Sequence, residues 1–122
     1  MYSTPSPEQT RFDELFGGAV IALRCDRFQA ALVNLEYAAE VAEPFDAARC
    51  AALAGSALRR LGRSTEALGQ LNYAATYFAA VGDTERSMQV REMRTQVLID
   101  LGRFDEVQRD SLGHSPALAM AD

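Results

Sequence analysis

One segment of this chain repeats itself. Leu35-Glu36-Tyr37-Ala38-Ala39 returns as Leu71-Asn72-Tyr73-Ala74-Ala75, an offset of 36 residues, and the same offset carries Ala31-Leu32 onto Ala67-Leu68. Within each copy the apolar and small residues fall at i, i+1, i+4, i+7 and i+8, the stripe of an amphipathic helix. A repeat at this period means one supersecondary unit stacked on copies of itself. A single unit cannot bury its apolar face alone, whereas a stack makes a continuous core.

A matched turn precedes each copy. Arg24-Cys25-Asp26-Arg27-Phe28 aligns with Arg60-Leu61-Gly62-Arg63-Ser64, and again, 40 residues further on, with Asp100-Leu101-Gly102-Arg103-Phe104. Gly62 and Gly102 stand where a helix ends in the left-handed conformation. Asp26 holds that place in the first copy, and Asp tolerates it better than most side chains. So short a turn makes the flanking helices antiparallel neighbours.

The helices before these turns are also amphipathic. Leu15, Gly18, Ala19, Ala22 and Cys25 share a face of the first, Ala51, Ala54, Gly55, Leu58 and Leu61 of the second, and Val90, Met93, Val97, Leu98 and Leu101 of the third. The spacing predicts helices at about 8–25, 28–43, 45–61, 64–81, 84–101 and 104–111. Pro44 divides the first pair from the second, and Gly82-Asp83 the second from the third. The expected organisation is a polar N-terminal segment (1–11), one all-α domain of stacked antiparallel hairpins with five to six helices (12–111), and a C-terminal piece (112–122). After Val107 the pattern fades, because Ser111 and His114 replace Leu71 and Ala74. The last piece reads as a loose tail, with a short capping helix opening at Ser115-Pro116 as the alternative.

Charge narrows the function classes. All 12 basic residues are Arg, against 17 Asp and Glu, for a net charge of -5. Such a chain repels phosphate backbones and anionic lipid at long range, so neither nucleic acid nor membrane is an expected partner. No apolar run approaches the length that spans a bilayer. Met1 to Arg11 is polar, with Pro5 and Pro7, and lacks the apolar core of a signal peptide. A cytoplasmic protein is expected, and the Arg-only, Ala-rich composition suggests a bacterial one.

The pattern resembles the tetratricopeptide repeat family, whose helix–turn–helix unit has 34 residues. Gly55, Leu58, Ala67, Leu71 and Ala74 occupy that family's sites in the second copy; Leu15, Ala19, Phe28, Ala31, Leu35 and Ala38 do so in the first. The third departs at Arg91 and Thr95 and agrees at Leu98, Phe104 and Val107. The spacings of 36 and 40 resemble longer-helix variants, and the resemblance covers roughly residues 12–110. It implies a concave groove lined by the first helix of each pair. Carried over residue by residue, that groove comprises Asp13, Phe16, Val20, Leu23 and Arg24; Arg49, Ala52, Ser56, Arg59 and Arg60; and Gln89, Glu92, Gln96 and Ile99. It would be apolar at one end and basic in the middle, suiting a peptide or helix with hydrophobic anchors and acidic residues held by bidentate arginines. Phe16, Val20, Ala52 and Ser56 stand where the clamp for chaperone C-termini needs Lys and Asn, which disfavours that ligand.

Other features carry less. Arg59, Arg60 and Arg63 read chiefly as helix C-terminal arginines favoured by the macrodipole. Cys25 and Cys50 match no zinc spacing and read as small buried hydrophobes. His114 is the single histidine, with no catalytic company. Asp13-Glu14 and Asp105-Glu106 are adjacent on helices and point apart, so neither is an acid–base dyad. No phosphate-binding, dinucleotide or metalloprotease motif is present. Tyr37 and Tyr73 recur at one repeat position, with packing favoured over a binding stripe. The expectation is a non-catalytic protein-binding module without metal or cofactor, and as its narrower form a small acidic bacterial chaperone or adaptor of secretion type. The alternative is a self-associating homodimer whose Phe16 end meets a second copy.

Overall fold

Every loop in this chain is as short as a helix–helix connection can comfortably be. In the computed structural model, which describes residues 4–114 and the side chains as far as Asp110, six helices follow one another: α1 (Pro7–Arg24), α2 (Phe28–Glu40), α3 (Pro44–Arg60), α4 (Ser64–Ala80), α5 (Thr84–Asp100) and α6 (Phe104–His114). Three residues separate each helix from the next. Among the described residues there is no strand, and consecutive helices pack as successive hairpins. The fold is all-α.

Four of the five turns share one construction. Asp26, Gly62, Gly82 and Gly102 take positive φ (58°, 77°, 79° and 72°). In each, the next residue's amide reaches back to a carbonyl in the helix just ended: Arg27 to Ala22, Arg63 to Leu58, Asp83 to Phe78, all at 2.8 Å, and Arg103 to Leu98 at 2.9 Å. These bonds satisfy carbonyls that the helix end would otherwise leave without partners. The reaching residue is also the N-cap of the following helix. At two of these caps an arginine pairs with the glutamate three residues on, Arg63 with Glu66 and Arg103 with Glu106; Asp83 with Arg86 reverses the sense. Hydrogen bonds from these partners hold the Glu66, Glu106 and Asp83 carboxyls below their usual range, the backbone amide of Arg86 acting first at Asp83.

The fifth turn differs because of Pro44. A residue before proline is pushed out of the helical region, and Glu43 is extended (φ -67°, ψ 161°) as N-cap of α3, with Pro44 itself the first helical residue. Helix α2 therefore ends at Glu40, three residues short of the expected 43, and α3 starts one earlier. At the other end, Ser6 caps α1 by accepting from the Gln9 amide at 3.0 Å, so the helix begins at Pro7, one residue before the expected 8. Helix α6 continues through His114. The expected tail or capping helix beyond it lies outside the described residues.

The repeat positions meet in one core. Leu35 and Leu71, equivalent in the two copies, are both fully buried, as are Ala31, Ala67, Ala38 and Ala74. Phe12, unassigned from the pattern, joins them and stacks on Phe16 with ring centroids 5.3 Å apart. Phe45, at the start of α3, meets buried Phe78 near the end of α4 edge-on at 5.6 Å, which closes the open end of the middle hairpin. The third copy brings Val90, Val97 and Leu98 into the same core. It also brings Ser87, a buried hydroxyl that donates to the Ala75 carbonyl at 3.3 Å.

Helix α3 leaves room for a side chain of α4 at Gly55. A Cβ there would stand 2.6 Å from Cγ and Cδ2 of buried Leu71, whereas one at Gly69 would meet nothing within 4 Å. Both are helix-interior glycines, so replacement by Ala gains roughly 0.5–1 kcal/mol of helix propensity. At Gly55 the overpacking cost of roughly 1–3 kcal/mol outweighs that gain. Gly69→Ala should raise the denaturation midpoint and Gly55→Ala should lower it, by about 1 kcal/mol each, as urea unfolding followed by circular dichroism would show.

Candidate functional site

Helices α1, α3 and α5 share a face. Arg49 of α3 holds its guanidinium 4.3 Å from the ring centre of Phe16 on α1. Arg59 of α3 donates to Asp100 of α5 at 2.7 Å, and α3 and α5 run close enough to be neighbours. Of the fourteen groove residues expected from the sequence, five converge here. Ser56 and Arg59 from α3, with Gln89, Glu92 and Gln96 from α5, line one solvent-open cavity of about 420 Å³. Gly55, Leu71 and Met93 contribute its apolar lining, and Thr95 joins the wall. The close approach at Gly55 lets Leu71, a residue of α4, reach a cavity otherwise made by α3 and α5.

The other nine are arranged differently. Phe16 is half-buried between Phe12 and Arg49 and is a packing residue as much as a surface one. Val20 and Leu23 are half-buried and Arg24 is exposed on α1. Asp13 accepts from Gln9 on its own helix at 2.9 Å. None of these lines the α3–α5 cavity. Arg60 leans back over the Phe28 ring at 4.9 Å, toward the first hairpin.

The basic middle expected of the groove is largely spent on intramolecular pairs. Arg49 bonds Asp46 at 2.9 Å and Arg59 bonds Asp100. That hydrogen bond to Asp100 raises the Arg59 guanidinium above its ordinary value. Arg63 makes a two-pronged contact with Glu66, at 2.9 and 2.7 Å. The arginines between α4 and α6 are similarly engaged: Arg94 with Asn72 and Asp110, Arg109 with the Asp105 carbonyl. In contrast, Glu92 makes no ion pair among the described residues. Sequence pattern places a guanidinium on a helix but says nothing about a carboxylate 41 residues away, as Asp100 is from Arg59.

Two further cavities bear on the expectations. Glu92 and Thr95 form the ridge between the α3–α5 cavity and one of about 440 Å³ that includes Ser87, Met88 and Arg91. A third, about 660 Å³, opens between α2 and α4 over α3, with Leu35, Cys50, Ala51 and Ala54 among its lining and Tyr73 at its wall. Tyr37 and Tyr73 are 50% and 51% exposed, so the packing role favoured from sequence does not hold for either ring. Among the described residues no group of three His, Cys, Asp or Glu is placed to hold a metal ion, and no helix is long and apolar enough to cross a membrane.

No family model matches the chain, and comparison with curated proteins and with solved structures returns no match either.

The two cysteines part company. Cys25, expected in the core, is exposed, because it forms the C-cap of α1, where the chain leaves the buried face. Cys50 is buried, and burial pushes its thiol up to about 11, with the Asp46 charge adding to the effect. The thiolate is the reactive form. At pH 8, iodoacetamide should alkylate Cys25 in the folded protein and leave Cys50 untouched until denaturant is added, which peptide mass mapping would show. Equal labelling of both would contradict this placement.

Proposed function

We propose that the chain is a non-catalytic protein-binding module that holds a segment of a partner polypeptide across the face of α1, α3 and α5. The supporting observation is the meeting of Ser56, Arg59, Gln89, Glu92 and Gln96, drawn from two successive hairpins, around one open cavity. Its lining mixes amides and hydroxyls, which both donate and accept, with an apolar floor. That combination suits the alternating carbonyls, amides and side chains of a polypeptide. A tetratricopeptide-type stack, and within it a small acidic bacterial adaptor or chaperone acting in the cytoplasm, is the finer form of this reading. It is supported by the 36-residue repeat and the net charge of -5.

Self-association is a second reading, favoured by one observation: Ile21, on the outside of α1, is 63% exposed. Site-specific photo-crosslinking in the cells that make the protein separates the two. A photoreactive residue at Gln96 should give an adduct with another polypeptide, and the same residue at open position Gly69 should not. Adducts only between copies, and only from position 21, would favour the homodimer. An empty lane from Gln96 would overturn the proposed binding face.

A further inference from the structure

We infer that the α3–α5 cavity is a socket for a basic side chain, a lysine or arginine presented by the bound polypeptide. This rests on the proposed binding face and reverses the charge expected of the partner from sequence alone. The reversal follows from the pairing of charges. An arginine whose charge is offset by a carboxylate of its own chain attracts an acidic ligand more weakly than a free one, although its remaining N–H groups can still donate. Arg59, the one cation lining the cavity, is held by Asp100 at 2.7 Å. Glu92, the carboxylate that lines it among the described residues, has no such partner among them. The residual charge that a guest meets in the cavity is therefore negative.

Shape agrees with charge. Met93, half-buried, is the apolar surface open to a guest, with buried Leu71 and Gly55 behind it, Glu92 at the ridge and Gln89 and Gln96 on the same helix face. Lysine and arginine are built the same way, with a methylene stem that lies on apolar surface and a charged head that stays wet. A stem laid along Met93 would bring its head to Glu92, and the side-chain amide oxygens of Gln89 and Gln96 could accept its remaining N–H groups. Arg49 and Arg60 do not oppose this, since they are turned to Asp46 and Phe16 and to Phe28. The chain's net charge of -5 would draw a basic segment in from a distance.

The test uses the full-length chain and a library of random twelve-residue peptides displayed on phage. Peptides selected on the wild-type protein are resynthesised, and their binding is titrated by fluorescence anisotropy and mapped by amide chemical shifts. The proposal expects the selected peptides to share a lysine or arginine and to shift amides of α3 and α5. It expects Glu92→Gln to weaken them roughly fivefold, the scale of one partly screened ion pair. Glu40→Gln, the same charge change at an exposed site on α2, should leave affinity within twofold. Peptides that shift α3 and α5 but lack a basic residue, or ignore Glu92→Gln, overturn the socket and leave the binding face standing. Equal weakening by Glu40→Gln reduces the effect to long-range attraction and also overturns the socket. Selected peptides that shift neither helix, or a selection that yields none, overturn the binding face and the socket together.

Discussion

Leu71 sits where a side chain on residue 55 would have to be, with its Cγ and Cδ2 only 2.6 Å from the place a Cβ would take. Everything characteristic of this molecule is organised around that vacancy in α3. It allows α4 to seat its repeat leucine fully in the core, which aligns Ala67 and Ala74, one turn to either side, against the same surface. Because α4 then lies close to α3, α5 can pack on α4 and still touch α3, and the α3–α5 cavity is the space left along that seam. Packed interiors tolerate neither voids nor overlaps of a methyl group without cost. A residue that is absent can thus shape a surface as effectively as one that is present.

The turns do comparable work at the ends of the helices. A three-residue connection leaves little room for alternative paths, and in four of the five the left-handed residue at its centre returns the chain beside the helix it has just left. Each turn closes two hydrogen bonds at once and hands its last residue to the next helix as a cap. The arrangement is local, so it recurs wherever Gly or Asp stands at the right place. This is why it appears in the Val81-Gly82-Asp83 turn as well as in the three turns that the repeat exposes.

Local rules of this kind are legible in sequence. The six helices, their antiparallel succession and the shared burial of Leu35 and Leu71 all follow from periodicity and turn chemistry. What the pattern concealed are relationships across space. Phe12 has no repeat partner to mark it, yet it is buried against Phe16. Cys25 lies on the apolar stripe of α1 but one step past its last helical residue, where the face no longer meets the core. Tyr37 and Tyr73 share a repeat position that the stack leaves at its outer surface. The arginines show the gap most plainly. Counted along the chain they make a basic patch, and in space they are fastened to Asp46, Asp100 and Glu66. The electrostatic character of the α3–α5 cavity is set by which charges are already paired, and pairing over 41 residues leaves no local signature.

If the α3–α4 contact is the element on which the stack depends, the rest of the structure should open before it does. Native-state hydrogen exchange followed residue by residue measures this directly. The account predicts that amides around Ala54, Gly55 and Leu71 exchange only through global unfolding and are the slowest in the chain. Those of α6, which among the described residues contributes no fully buried side chain to the core, should open first. Slower exchange in α1 or α6 than in α3 and α4, or exchange of Gly55 and Leu71 at rates independent of one another, would contradict it.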